Sequence, residues 1–385
     1  MLKKRILIFT GFYLPGLKGG GPIRTISNLV SHLGDEFDFY IITSDHDLGD
    51  NLPYSVIEPN SWNQVGKAKV YYFPTESSIF QLYDIINKIN YDVIYLNSFF
   101  SLKFTIFPLL IRKFGKLKVK PIILAPRGEF ANNALSLKKL KKSIFMKISN
   151  LLGIYSDIIW QASTLYEKND ITDTLKKNGI LFKDVIICKD LPEISIVERD
   201  FRFDHNIVKI CFLSRISEIK NLQFVLCVLK NISFPIYFGI YGPQEDSKYW
   251  DKCQKIIKQL PSNITVEVFG SVPNDQVRNI IANYDLFFVP SKGENYGHVF
   301  VEAFSAGTPV LVSDLTPWRN LHQRNIGWDI SLGNLDDFSQ AINKYYHYTI
   351  EEKQAMRNCC IQFAENLIND ISVLDANRKL FNDLK

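Results

Sequence analysis

Along the first half of the chain, short and wholly apolar runs alternate with longer segments whose apolar residues recur on one helical face. The runs Arg5 to Thr10, Asp38 to Thr43, Val70 to Phe73, Val93 to Leu96, Pro121 to Ala125 and Ile158 to Trp160 read as strands. Between them, Pro22 to Leu33, Ile79 to Ile89, Ser101 to Phe114 and Tyr166 to Lys177 read as helices. Strands apolar on both faces belong in a parallel sheet covered by helices on each side. After Cys188 to Asn206, a stretch with Pro192, mixed charge and no strong period, the same rhythm starts afresh. Its strands are Val208 to Leu213, Ile236 to Tyr241, Ile264 to Phe269, Asp285 to Val289 and Pro309 to Val312, with helical patterns such as Asn221 to Asn231 between them. The tail beyond about Asn334 reads as helices only, and neither a fixed-period repeat nor a low-complexity tract is visible.

The expected fold class is therefore α/β, with two doubly wound, Rossmann-like domains facing each other across a cleft and with C-terminal helices. The expected boundaries are a first domain over 1–190, a linker over 191–206, a second domain over 207–365, and a terminal helix over 366–385 able to cross back to the first domain. In such sheets ligands bind outside the carboxyl ends of the strands, so the loops there are where chemistry is sought.

Composition agrees with this plan. The chain has 385 residues, 46% hydrophobic and 22% charged, which suits a globular protein of about two domains. Lys plus Arg number 45 against 40 for Asp plus Glu, and the balance of +5 is too mild and too dispersed for a dedicated nucleic-acid binder. Met1-Leu-Lys-Lys-Arg before Ile6-Leu-Ile-Phe has the look of a signal peptide, but Tyr13-Leu-Pro15-Gly and the glycines at 19–21 interrupt it without a cleavage site. No run reaches the roughly 18 consecutive apolar residues of a membrane span, so a cytosolic location is expected. Six cysteines without a C-x-x-C pair lie in apolar patterns and read as reduced packing residues. Trp318 and Trp328 likewise read as packing.

Three clusters carry candidate chemistry. The first runs from Val289 through Glu294, Gly297 and Glu302 to Gly307-Thr-Pro309. A glycine opening a helix lets an anion such as a diphosphate approach free backbone N–H groups at the positive end of the helix dipole. Glu302, one turn in, can accept hydrogen bonds from vicinal hydroxyls such as those of ribose, and Glu294 can address a sugar hydroxyl. Alternatively, either glutamate is an ordinary acidic helix start. The second cluster is Arg215 with Lys220, after the first strand of the second domain, where a planar fork and a mobile point charge suit a diphosphate leaving group. Both are otherwise solvated surface cations. The third is Gly19-Gly20-Gly21-Pro22, whose glycines expose backbone donors before a helix or simply form a flexible turn. Its spacing lacks the later glycine of G-x-G-x-x-G, which weakens a dinucleotide-binding reading.

These features together resemble family 4 of the nucleotide-sugar glycosyltransferases, retaining enzymes of the GT-B fold. The resemblance covers most of the chain and rests on Glu294 and Glu302 separated by seven residues within Pro290-Ser…Glu-x-x-Gly…Glu-Ala…Gly-x-Pro-Val, on the spacing of Arg215 and Lys220, and on the N-terminal glycine loop. It implies that Arg215, Lys220 and Glu294 serve catalysis. Arg215 and Lys220 would neutralise the donor diphosphate, Glu302 would hold the ribose, and Glu294 would contact the transferred sugar. The segment Asn295, Tyr296, Gly297, His298 and Val299 would line the donor site, Gly20 and Gly21 would meet the donor phosphate and the acceptor, and Ser271 and Val272 would lie on the nucleobase side through backbone contacts. The first domain would then be the acceptor side and the second the donor side. No metal or other cofactor is expected beyond the donor, UDP- or GDP-linked.

The chain departs from the resemblance after Val93-Ile-Tyr-Leu96, where many relatives place a histidine and Asn97-Ser98 stands here. Ala125-Pro-Arg127-Gly-Glu129-Phe130 resembles a stretch of relatives that build surface polysaccharides (capsule, O-antigen or exopolysaccharide). Asn97, Arg127 and Glu129 are accordingly acceptor-side candidates, the alternative for the last two being a surface turn closed by a local ion pair. Ser136 to Ile148 sets lysines 138, 139, 141, 142 and 147 around Leu137, Leu140, Ile144 and Ile148. This helix either lies on the anionic inner face of a membrane through Lys138, Lys139, Lys141 and Lys142, beside a lipid-linked acceptor, or presents an ordinary solvated face. The resulting expectation is a retaining, metal-independent glycosyltransferase acting on a growing glycan. A sugar-nucleotide epimerase of the same architecture, a noncatalytic sugar-nucleotide-binding protein and, less favoured, a nicotinamide-dependent oxidoreductase remain as alternatives.

Overall fold

The computed structural model describes residues 3–115, 117–136, 139–193 and 206–384. The chain divides into two compact units, Met1–Leu191 with Asp370–Lys385, and Pro192–Asn369. The first contains β1 (Lys4–Phe9), α1 (Gly21–Leu33), β2 (Phe37–Ser44), β3 (Trp62–Val65), β4 (Ala68–Phe73), α2 (Ile79–Asn87), β5 (Val93–Leu96), α3 (Phe107–Lys113), β6 (Ile122–Leu124), α4 (Asn132–Ser136), α5 (Lys139–Leu151), β7 (Ile158–Ala162), α6 (Leu165–Lys177) and β8 (Val185–Ile187). Its sheet runs β3-β4-β2-β1-β5-β6-β7-β8. All neighbours are parallel except β3, which pairs antiparallel with β4. Ile6 to Phe9 and Val93 to Leu96 are buried at every position, as strands covered on both faces must be.

The second unit contains β9 (Val208–Leu213), α7 (Leu222–Leu229), β10 (Ile236–Tyr241), α8 (Ser247–Ile257), β11 (Ile264–Gly270), α9 (Val277–Ile281), β12 (Leu286–Val289), α10 (His298–Ser305), β13 (Val310–Ser313), β14 (Gly327–Ile330), α11 (Leu335–Tyr346) and α12 (Ile350–Ile368). Its wholly parallel sheet runs β11-β10-β9-β12-β13-β14. In both sheets the order grows outward from the first strand in two directions. The reversal falls between β1 and β5 in one and between β9 and β12 in the other, and there the loops leaving the carboxyl ends diverge and open a crevice.

Three edge strands, β3, β8 and β14, add to those expected from the sequence. The expected helix from Ser101 to Phe114 begins instead as a wide turn over Leu102–Ile106, in which Phe107 N–H reaches the Leu102 carbonyl, before α3 starts. Pro108 is the cause, because it has no N–H to give to the carbonyl four residues back.

The terminal helix expected over 366–385 is two elements. α12 ends at Ile368, and Asp370 caps α13 (Ile371–Asn382) by accepting from Ser372 N–H. α13 belongs to the first unit, where Phe381 meets the rings of Phe37, Phe39 and Tyr95 at 5.6, 6.3 and 5.6 Å. Cys188, Cys211, Cys253 and Cys360 are buried thiols, and all six cysteines are free.

Candidate functional site

The second unit gathers the chemistry at the carboxyl ends of β9 to β12. The loop after β9 is fastened to the loop after β10, because Ser214 N–H donates to Tyr241 O at 3.0 Å and Ile216 N–H to Pro243 O at 2.9 Å. Gly242 makes this approach possible. Its φ is +131°, and a Cβ there would lie 1.9 Å from Ser214 O. The fastening sets Arg215 against Glu245, with Nη1 donating to the two carboxylate oxygens at 3.0 and 3.2 Å.

The same loop is tied on its other side to the loop after β12. Lys292 N–H donates to Ile219 O at 2.7 Å. Asn221, left-handed at φ +64° ahead of α7, donates its Nδ2 to Pro290 O at 3.3 Å. These bonds span the reversal of strand order and bring Lys220 Nζ to Glu294 Oε2 at 2.5 Å, with the two side chains 12% and 16% exposed. Ser291 Oγ donates to the same oxygen at 3.5 Å.

Gly297 then opens α10 at φ +79°, and a Cβ would fall 2.6 Å from the Phe300 ring and 2.9 Å from Glu294 Cγ. Only glycine keeps Glu294 and the helix start this close. α10 has neither a side-chain cap nor an acid in its first turn, so the acid beside the positive end of its dipole is Glu294 of the preceding loop. Glu302 is buried in the second turn. His298 and Val299 form the first turn, buried and half-buried. Tyr296 O accepts from Trp318 Nε1 at 2.8 Å, which fixes the loop from behind and gives the packing tryptophan a hydrogen bond. Asn295 Oδ1 is buried without a hydrogen-bond partner among the described residues, a costly state for an acceptor unless a ligand supplies the donor. After β11, Gly242 N–H donates to Gly270 O at 2.7 Å, placing exposed Ser271 and half-buried Val272 beside the same loops.

The structure thus brings Arg215, Lys220, Ser271, Val272, Glu294, Asn295, Tyr296, Gly297, His298, Val299 and Glu302 to one end of one sheet. Glu245 and Asn221 belong with them and were not among the sequence candidates. For Glu245 the available signal was its place in a strand-end loop, Gly242-Pro-Gln-Glu245.

The remaining candidates lie in the first unit. Gly20 needs its φ of +70° to precede α1, whereas the space where a Gly21 Cβ would sit is open. The loop before them is held by Asp47, whose carboxylate accepts from the N–H groups of Leu17, Lys18 and Leu48 at 2.7, 3.0 and 2.8 Å.

Arg127 and Glu129 do not form the local ion pair of a surface turn. Arg127 is left-handed at φ +55°, and its side chain is 5% exposed. Its guanidinium donates to Asn97 Oδ1 at 3.0 and 2.8 Å, Ser163 Oγ at 3.0 Å, Asp190 Oδ1 at 2.8 Å and Tyr95 Oη at 2.5 Å. Glu129 instead accepts from Phe99 N–H, Phe100 N–H and Ser98 Oγ at 2.5, 3.1 and 2.9 Å. Burial pushes its carboxyl up from the usual range, against the pull of those donors. Burial likewise raises Glu167, which accepts from Gly128 and Ser163 N–H at 2.7 Å each. Arg127 therefore fixes Asn97 in place with side-chain donors already committed to protein.

Residues 196–364 match the family Glycosyl transferases group 1. An uncharacterized 41.2 kDa protein in the cps region of Klebsiella pneumoniae is 27% identical over 301 residues, 75% of this chain and 79% of that protein. The putative teichuronic acid biosynthesis glycosyltransferase TuaC of Bacillus subtilis is 32% identical over 83 residues, 22% of this chain and 21% of its own. The structure of Anabaena Alr3699/HepE in complex with UDP and glucose superposes with a TM-score of 0.68 at 14% identity, over 99% of both chains. The fold is GT-B, and the matched domain supports a glycosyltransferase built on it.

Proposed function

We propose that this protein transfers a sugar from a nucleoside-diphosphate donor, UDP- or GDP-linked, to a hydroxyl of a growing surface polysaccharide, with retention at the anomeric carbon. The observation that carries the reading is the Lys220–Glu294 contact at 2.5 Å, set across the reversal of strand order and beside the N-terminus of α10. A cation, a carboxylate and the N-terminal end of a helix in one place suit an anionic diphosphate joined to a hydroxyl-rich sugar. The group 1 match favours glycosyl transfer, the cps-region and teichuronic acid relatives favour a polysaccharide product, and the UDP and glucose held by HepE favour a nucleotide-sugar donor.

In this reading Lys220 and the α10 amides offset the charge that develops on the diphosphate, and Arg215 exchanges Glu245 for phosphate oxygens. Glu302 accepts from the ribose hydroxyls, and Glu294 accepts from the transferred sugar. Asn295 Oδ1 takes a donor from the ligand, while the Ser271–Val272 backbone borders the base. The acceptor oxygen attacks the anomeric carbon on the face that the diphosphate leaves. As the new C–O bond forms, the bond to the β-phosphate oxygen breaks, its electron pair stays on that oxygen, and the acceptor proton passes to it. Positioning and charge stabilisation supply the catalysis, and the two cations do the work that a metal does elsewhere.

Thermal shift against a panel of nucleotide sugars identifies the donor, since a ligand at 100 times its Kd adds about 2.7 kcal/mol. Proton NMR of the product then reads the anomeric configuration. Inversion would overturn the retaining step, and activity lost to EDTA and restored only by magnesium would overturn metal independence. No stabilisation by any nucleoside diphosphate or its sugars would remove the donor site altogether.

A further inference from the structure

α5 is an ordinary surface helix turned inside out. Its buried residues are Met146 and Ser149, whereas Leu140, Ile144, Ile148 and Leu151 are 75%, 50%, 52% and 87% exposed. At about 100° per residue, positions spaced i, i+4, i+8 and i+11 fall in one stripe, roughly opposite Met146 and Ser149. The face that a globular protein normally keeps polar is here a ridge of branched apolar side chains, and exposed Leu152 extends it past the helix end. A contiguous apolar surface of this kind marks a docking site.

Charge selects the occupant. α5 contains no Asp or Glu, and the helical period places exposed Lys141 and Lys147 on opposite flanks of the ridge, with exposed Lys139 behind. Lys142 is differently employed, donating to Ala134 O at 2.8 Å and lying 4.8 Å from the Phe100 ring centre. Lys138 and Leu137 lie outside the described residues. A second copy of the chain would oppose like charges across the ridge. An anionic lipid surface satisfies both features, with the apolar side chains entering the acyl boundary and the ammonium groups reaching the lipid phosphates.

We propose that α5 docks in the plane of an anionic membrane, its Leu140–Ile144–Ile148–Leu151 ridge inward and Lys139, Lys141 and Lys147 at the headgroups. Among the described residues no helix is long and apolar enough to cross a membrane, so the attachment lies on the bilayer rather than through it. The inference stands apart from the donor site, which is in the other unit.

The test is cosedimentation of the full chain with phosphatidylcholine vesicles, with and without phosphatidylglycerol. Binding is expected only with phosphatidylglycerol, falling as salt shortens the screening length from about 30 Å at 0.01 M to about 8 Å at 0.15 M. Changing Leu140, Ile144, Ile148 and Leu151 together to Gln is expected to cut binding at least about tenfold, because their apolar burial is lost. Changing Lys139, Lys141 and Lys147 to Gln is expected to cost about fivefold per lysine, and this variant carries the test should the first not fold. Nucleoside-diphosphate binding by calorimetry is expected to survive in both, separating this failure from failure of the donor site. The proposal is overturned if the wild type ignores anionic vesicles at low salt or if neither variant weakens binding. It is equally overturned if ultracentrifugation shows a wild-type dimer that the Gln ridge abolishes, since the occupant is then a second copy.

Discussion

Arg127 with Asp190 in the first unit and Arg215 with Glu245 in the second are ion pairs of the same parts at nearly the same distance, 2.8 and 3.0 Å. The first pair has side chains 5% and 4% exposed, and the second 38% and 38%. Around Arg127 the partners are numerous and fixed: Asn97, Ser163 and Tyr95 join Asp190, which also accepts from Thr25 Oγ1 at 2.8 Å. Among the described residues, the side-chain hydrogen bonds of Arg215 go to the Glu245 carboxylate alone. A buried pair cannot trade its carboxylate for another anion without stranding a charge, whereas an exposed pair loses little by doing so. The difference in burial separates an arginine that holds a strand-end together from one that, in the proposed function, is placed to receive a ligand.

The comparison is open to attack at its strong end first. Arg127→Ala strands buried Asp190 and is expected to cost about 3–5 kcal/mol of stability, measured by denaturant melts. A loss below about 1 kcal/mol would put the two arginines in the same class. Lys220→Ala, in the partly buried pair between these extremes, is expected to lower kcat/KM by about two to three orders of magnitude with little change in melting temperature. Near-normal turnover would leave Lys220 a structural partner of Glu294. Glu302→Gln is expected to raise KM by roughly tenfold to a hundredfold at nearly constant kcat, because ribose contacts are made equally before and during reaction. Tight nucleoside-diphosphate binding by the variant in calorimetry would make Glu302 a packing residue. The smallest effect is expected for Glu245→Gln, with stability unchanged within about 0.5 kcal/mol and donor affinity higher by up to about fivefold as Arg215 is released. Weaker donor binding in that variant would mean that Glu245 orients Arg215 rather than occupying it.

Burial decided what was legible in the sequence. Central strands such as Leu286 to Val289 are apolar at every position because both faces are covered, and they read directly from the pattern. The edge strands carry mixed residues. Val185–Ile187 exposes two of its three side chains, and Trp62-Asn-Gln-Val65 leaves two polar residues between its ends, so neither shows a period. The site separates in the same way. Gly297, Glu294 and Glu302 share one loop and helix and were visible as a local motif. The partnership of Lys220 with Glu294 joins residues 74 apart in sequence, and that of Arg127 with Asp190 joins residues 63 apart. Those pairings follow from strand order, which composition does not encode. An arginine in a loop is ordinarily solvated, so nothing local announced that Arg127 is buried.

α13 gives the chain an order of assembly. Phe381 seals against Phe37, Phe39 and Tyr95, while Lys4 Nζ donates to Phe381 O at 3.2 Å, yet all of 192–369 separates α13 from the sheet it completes. At roughly 5–20 residues per second, a ribosome that has finished the first sheet takes on the order of ten to forty seconds to deliver that last helix. Throughout this interval the aromatic surface under α13 is bare on the nascent chain. The second unit, contiguous in sequence, waits for no such piece. The half of the molecule translated second is therefore the half that can finish folding first, and the nascent first half is the natural client for a chaperone.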